Sequence, residues 1–510
     1  MNTKTESNIN EIKNRFKKSL NQKQAIESLW NECRSYATPT PINNSVAIYD
    51  STAIDAVDVL CSSLISEITP AWSKWFYLSL NANISALSDD EKSDFEMEIL
   101  NTERVMQKHF SASNFQVELH QSYIDLVTTG NACLLFEENI IGASSAFKFT
   151  SIPVSELCVE ENDNGKVDTI FRKSTTTISK ALGLFPIAKI SDEVKNFAVK
   201  NPDHKIGIIE SVMPNKNEFG INGYKYIAFI EDNFNTFTKS DDTIILKEGI
   251  FTNNPFIYFR WSKIAGETYG KSPVMKALPD IKTANKIVEL ILKNASIAVS
   301  GMWQADDDGV INLDNIVLAP GMIIPKAIGS SGLTPLQTSS NFDVSQLVLT
   351  DIRANIKRAM LSDGILFATN KNMTATEVME RASDMEKILG ATYGRLQYEL
   401  LNPLIERAIS ILLRRGEIKN ITIDSEIISV EYVSPIARAE HKREAANTIA
   451  WINSLALLGP DAMAFVNKKE VVKHLNDLLN MPDNLIINDS ALSIDNNHVQ
   501  AVNETEANNK

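Results

Sequence analysis

Apolar residues return every three or four positions along the first part of the chain, and the expected elements change where that spacing changes. Ile12, Phe16, Leu20, Ile26 and Trp30 make an intermittent stripe through the charged segment from Thr5 to Arg34. This predicts a helix, ended by the breakers Pro39, Thr40 and Pro41. A second helix is expected from Ser51 to Ile68, with Ile54, Val57, Leu60, Leu64 and Ile68 on one face and Pro70 as its stop. The run WFYLSL, Trp75 to Leu80, reads as a strand, and helical spacing resumes from Asp89 to Phe110 and from His120 to Gly130. Short apolar runs follow, ACLLFEE, KVDTIFRK, KIGIIESVM and KYIAFIED, and predict a β-rich stretch to about residue 260.

Leu278 to Val299 has a cleaner helical pattern. Ile281, Ala284, Val288, Ile291, Ala295 and Ala298 line one face, while Lys282, Lys286, Glu289, Lys293 and Ser296 line the other. From Ser300 to Phe342 the pattern turns to short strands broken by DDDG, APG, GSSG and TSSN. Helical period returns at Asp343, an expected N-cap, through Val344, Leu347, Ile352, Ile356 and Met360. Ser362 to Asn372 reads as a loop, after which Thr374 and Glu377 form a capping box that opens a helix running to Arg415, with Gly416 as its stop. Pro403 lacks the amide proton that would reach the carbonyl of Glu399, so a kink or break is expected near Leu401. Gly390 and Gly394, four apart on one face, predict a close crossing with another element. A strand-like run from Ile421 to Val433 precedes a polar, helical region from Ser434 to Leu479, and the Asn-rich tail from Asp483 reads as disordered. No internal repeat is evident. The fold class is therefore α+β and mainly helical.

At 510 residues, with 44% hydrophobic and 22% charged residues, the chain is long enough for several domains or subdomains and ordinary for a folded protein. Its formal net charge of −14 gives no global basic field for tight nucleic-acid binding, so any contact with DNA is local or weak. Cys33, Cys61, Cys133 and Cys158 are scattered and make neither a metal pattern nor a disulfide framework, which suits a reducing compartment. No apolar run approaches the roughly 20 residues of a membrane helix, and the N-terminus lacks a signal-peptide core, so a cytoplasmic protein is expected.

GETYGKSP, Gly266 to Pro273, is the stretch closest to a chemical motif. A phosphate-binding loop needs four residues between its glycines, so that backbone N–H groups wrap the phosphate while the lysine and hydroxyl reach forward. Here three residues separate Gly266 from Gly270, and the nearest magnesium-binding aspartate, Asp351, lies inside a helical pattern. A glycine-relaxed turn feeding a helix is the better reading. Asp306, Asp307 and Asp308 with Asp314 lack the alternation and terminal glutamate of a calcium loop, and the six histidines show no ligand spacing. No G-x-S-x-G elbow is present. No catalytic residue, cofactor or metal is assigned.

The segment FRWSKIAGETYGKSPVMKALPDIKTAN, Phe259 to Asn285, resembles the portal, or head-to-tail connector, proteins of short-tailed phages. Three more blocks agree in the same order: Tyr49 to Leu78, Asp125 to Glu138, and Met373 to Ile418. The resemblance implies a ring, usually a dodecamer, at one capsid vertex, with double-stranded DNA passing through its channel without sequence specificity. It implies a wing (1–271 and 374–433), stem helices (272–299 and 343–361), a clip (300–342), a channel loop (362–373), a crown (434–480) and a tail (481–510). Carried onto this chain, the residues facing DNA would be Lys282, Lys286, Lys293, Ile365, Leu366, Phe367 and Lys371. Implied partners are a terminase motor, major capsid and scaffolding proteins, and tail or adaptor proteins, with no membrane. The implied place is the virion's portal vertex, and the host cytoplasm during assembly. Two other readings are a DNA-packaging ATPase or nuclease, supported only by GETYGKS, and an adaptor or tail ring protein.

Overall fold

The structure is a computed structural model that describes residues 2–40, 46–71, 73–80, 89–186, 192–217, 220–231, 244–300, 303–305, 333–335, 342–362, 390, 392–419, 428–432, 435–459 and 466–479. The middle of the expected clip, nearly all of the channel loop, the capping-box segment and the tail lie outside these residues. The chain divides into two compact units, Met1–Trp72 with Leu78–Val430, and Ser73–Tyr77 with Glu431–Lys510.

The first unit opens with helix α1 (Asn2–Ala37), longer at both ends than its stripe predicted, and α2 (Thr52–Ile68). Strand β1 (Phe76–Leu80), which begins in the second unit, precedes α3 (Asp89–Ala112) and α4 (Phe115–Thr129) of the first. Two antiparallel sheets follow. The smaller has β2 (Asn131–Glu138) at its centre, between β3 (Phe147–Ser151) and β9 (Phe256–Arg260). The larger runs in order through β4 (Leu157–Glu161), β5 (Val167–Thr177), β6 (Lys205–Asn217), β7 (Gly220–Ile230) and β8 (Ile245–Phe251).

Alternation along these strands feeds two cores. On one face of the larger sheet Phe171, Ile209, Ile227 and Phe229 meet Ile12 and Phe16 of α1, with the Phe16 and Phe171 rings edge to face at 6.0 Å. On the other face Val159, Ile170, Ile208, Val212 and Ala228 join Ile178 and Ala181 of α5 (Ile178–Leu184) and Val194 and Ala198 of α6 (Asp192–Lys200). These short helices lie within the stretch expected to be β-rich. Thr177 starts α5 by accepting the Lys180 amide on its hydroxyl, a capping signal that the apolar runs around it obscure.

Helix α7 (Pro273–Ser300) follows β9 and contains Pro279 without ending there. It packs with α8 (Phe342–Ala359), and the strands β10 (Trp303–Ala305) and β11 (Leu333–Pro335) pair antiparallel between them in sequence. Two expectations fail here. Asp343 lies inside α8 rather than capping it. Leu347, placed on the apolar stripe, is 69% exposed, and Leu349 is buried instead, because the buried face runs through Leu349, Ile356 and Met360. A Cβ built at Gly390 or Gly394 meets nothing within 4 Å among the described residues, so none of these makes the close crossing expected there.

The break near Leu401 takes a specific form. Gln397–Leu401 is a π-helical turn closed by the Asn402 N–H on the Gln397 carbonyl, and α9 (Asn402–Arg415) continues from it to Gly416, whose φ is 70°. Strand β12 (Ile428–Tyr432) follows. In the second unit, helices Pro435–Leu458 and Lys468–Leu479 pack together, with His474 Nε2 3.6 Å from Glu444 Oε1.

Candidate functional site

The phosphate-loop-like stretch becomes the root of α7, and several of its backbone and side-chain polar groups are bonded within the protein. Gly270 donates its N–H to Asn131 Oδ1 at 2.7 Å, Lys271 N–H reaches the Ser262 carbonyl at 2.9 Å, and Glu267 N–H reaches Ile264 at 3.1 Å. None of these N–H groups is left for a phosphate. Ser272 donates its hydroxyl to the Thr128 carbonyl and accepts the Met275 amide, both at 2.9 Å, so it caps α7 instead of holding magnesium. Tyr269 is buried against Trp30, with ring centroids 5.2 Å apart. The one observation behind a packaging ATPase is thereby accounted for structurally.

Arg260 ends β9 at the same root and is fully buried. Its backbone N–H and Nη2 bind the Glu399 carboxylate at 2.9 and 2.6 Å, while Nη1 reaches the Thr268 carbonyl at 2.9 Å and Nη2 the Gly165 carbonyl at 3.1 Å. Nη1 also pairs with Glu161, which in turn takes Lys263 Nζ at 2.6 Å. Burial lowers the guanidinium pKa, but the Glu399 hydrogen bonds and charge, then Glu161, outweigh it and hold Arg260 above its ordinary value. Removing one partner of such a buried pair costs about 3–5 kcal/mol.

Further along, α7 and α8 are tied to the segment before α2. Asn285 Oδ1 accepts the amides of Tyr49 (2.6 Å) and Asp50 (3.2 Å), and Nδ2 donates to the Ala47 carbonyl at 3.0 Å. Asp50 Oδ1 accepts the Thr52 amide at 2.9 Å, and Oδ2 takes Arg353 Nε at 2.8 Å and Nη2 at 2.7 Å. Burial raises the Asp50 carboxyl, and the Thr52 and Arg353 interactions overcome it, leaving its pKa below the ordinary value.

The three α7 lysines expected to face DNA, Lys282, Lys286 and Lys293, are exposed, and each meets a glutamate. Lys282 pairs with Glu32 of α1, and Lys286 and Lys293 flank Glu289 at 2.9 and 2.6 Å. The hydrogen bond to Glu32 raises the Lys282 pKa, that to Glu289 raises Lys293, and Glu289 is lowered by Lys293 and then Lys286. This face is a mixed-charge surface. Ile365, Leu366, Phe367 and Lys371 lie outside the described residues. Both helices also expose apolar side chains, Leu290 at 48% and Leu292 at 52% on α7, Leu347 and Val348 on α8.

Sequence reasoning overlooked Arg260, Glu399, Asn131, Asn285, Asp50 and Arg353. The available signals were an arginine ending the apolar strand FIYFR and a glutamate four residues before Pro403, but Arg260 and Glu399 are 139 positions apart in sequence. His109 lacks ligand spacing, yet its Nδ1 accepts the Ala146 amide at 3.1 Å and its Nε2 lies 2.6 Å from Glu417. The four cysteines are free and buried, in line with their scatter.

Residues 9–487 match the family described as "Bacteriophage head to tail connecting protein". The chain is 24% identical over 408 residues to the "Probable portal protein" of Bordetella phage BPP-1, covering 77% of this chain and 71% of that protein. It is 22% identical over 500 residues to the "Portal protein" of Salmonella phage epsilon15, covering 92% and 86%. The "Portal protein" of Enterobacteria phage T3 is 22% identical over 414 residues, covering 79% and 74%.

Proposed function

The chain belongs to the bacteriophage head-to-tail connecting protein family and is a podovirus-type portal protein, and on that premise we propose that its copies close into a dodecameric ring. The protein is a virion component at the head-to-tail connection. In this proposal, double-stranded DNA passes along the ring axis during packaging and ejection without being read. Helices α7 and α8 form the stem, residues 300–342 the clip, 362–373 the channel loop, 1–271 with 374–433 the wing, and 434–480 the crown. The terminase motor docks during packaging and tail or adaptor proteins afterwards, and the wing meets capsid and scaffolding proteins.

The observation that carries the ring is the α7–α8 pair. Leu290, Leu292, Leu347 and Val348 stay exposed after the two helices have packed, and a rotated copy can cover them through a heterologous contact that closes. Lysines already matched to glutamates also suit a conduit, because each phosphate neutralised by a free cation adds salt-sensitive affinity that retards sliding.

Electron microscopy of the purified protein tests this directly, with the parent chain forming rings viewed down their axis. Leu290→Asp with Leu292→Asp is expected to leave monomers that retain their helical content. A parent chain that is monomeric by light scattering at every ionic strength overturns the ring.

A further inference from the structure

The long helix contains one residue more than a regular α-helix would hold, and the place and cause of that insertion are both visible. Proline at 403 cannot donate to the Glu399 carbonyl, so the ladder lacks the bond that would join these residues in an α-helix. The chain closes a wider turn instead, from Asn402 N–H to the Gln397 carbonyl. A missing donor explains why the regular ladder weakens here, but not why the extra residue stays at this point. The side chain of Glu399 supplies the second part. It is 7% exposed, and it accepts the backbone N–H of Arg260 at 2.9 Å and Nη2 at 2.6 Å, while Arg395 one turn earlier adds a contact at 3.1 Å.

The same arginine holds the turn that starts α7. Its Nη1 donates to Thr268, within GETYGKS, and the chain just after β9 is joined to that turn by the antiparallel bridge between Ser262 and Lys271. One buried guanidinium therefore touches the π-turn of the long helix, the root of α7 and the β4–β5 hairpin at Glu161 and Gly165.

We propose that the Arg260–Glu399 pair is a latch that stores the extra residue at Gln397–Leu401, with Arg260 as a positioning residue between the root of α7 and the helical segment before the turn. When the latch is open, nothing holds the extra residue at this place, and residues 392–396 are free to screw by one position relative to α9. Such a step is a rotation of about 100° and a shift of about 1.5 Å. It needs no unfolding of α9, whose buried face from Leu404 to Leu412 remains packed. The latch stands on the local geometry alone. Its use, passing a disturbance of the stem root to residues 392–396, rests on the portal reading above.

Three variants of the full chain test the latch. Pro403→Ala restores the missing donor and is expected to keep the π-turn, because Glu399 still binds Arg260. Glu399→Gln keeps the shape and the acceptor oxygen but removes the charge, and is expected to speed hydrogen exchange of amides 392–401 at least ten-fold while α9 and the larger sheet keep their protection. The double variant is expected to show a regular α-helix through 397–403 by electron cryomicroscopy, with Arg395 turned away from its present position. A π-turn that persists in the double variant, or exchange unchanged in Glu399→Gln, overturns the latch. Uniform loss of protection across the chain in Glu399→Gln also overturns it, since the pair would then serve general stability. Particle images separate this outcome from failure of the ring proposal: rings absent from the parent chain sink that reading, while the exchange and register measurements still decide the latch.

Discussion

A Cβ at Gly270 would lie 2.3 Å from the carbonyl oxygen of Gly130. The two glycines bring the end of α4 and the start of α7 into backbone contact, and a methyl on Gly130 would in turn meet Gly270 and Lys271 at 2.6–2.8 Å. No flexible side chain is available to yield at either position. The glycine that made GETYGKS look like a phosphate loop is therefore required by packing.

Gly270→Ala is accordingly expected to destabilise the first unit by on the order of 1–3 kcal/mol, through strain at the root of α7. Lys271→Ala, which alters a half-exposed side chain paired with Glu267, should leave the thermal midpoint near that of the parent. Differential scanning fluorimetry of the two variants checks the order. Magnesium-dependent ATP binding that disappears in Lys271→Ala would reverse this reading of the stretch.

Asn285 and Lys293 share α7 but should differ sharply on mutation. Asn285→Ala leaves the amides of Tyr49 and Asp50 and the Ala47 carbonyl without their partner, at a cost of about 1–3 kcal/mol. Lys293→Ala removes an exposed ion pair and is expected to fall within the error of a urea melt. Equal midpoints for the two variants would show that the clamp before α2 contributes nothing.

Acid should loosen the same clamp. The folded-state pKa of Asp50 is depressed, so its contribution is complete above the unfolded value of about 3.9 and is lost as pH falls below that value toward the folded one. Hydrogen exchange at the N-terminus of α2 is expected to accelerate below about pH 4 in the parent chain. In Asp50→Asn that acceleration should be absent, because exchange there is already fast at neutral pH.

The segment from Gly364 to Ala368 carries the prediction tied most closely to the DNA path. Its deletion should leave rings intact in micrographs and reduce the DNA packaged or retained per head, as measured by gel analysis of purified particles. Full-length DNA retained at the parent level would remove this segment from the channel. Loss of the rings themselves would assign it to assembly.

Much of the architecture was legible without coordinates, because helices and strands declare themselves through spacing within one element. The stripes of Ile12 and Phe16 on α1, and the Pro403 break with its Gly416 stop, depend on residues a few positions apart. The family was legible for a related reason: several local blocks recur in a fixed order. The tertiary structure decided which polar groups meet. Arg260 could be seen ending an apolar strand, but its partner is 139 positions later, and spacing within a strand says nothing about a helix folded against its end. Asn285 carries no signal of its own in the helical spacing, and only the fold brings residues 47–50 across it. GETYGKS is the clearest case: its glycines announced a special backbone, and only the approach of Gly130 showed that another backbone, rather than a phosphate, fills the space.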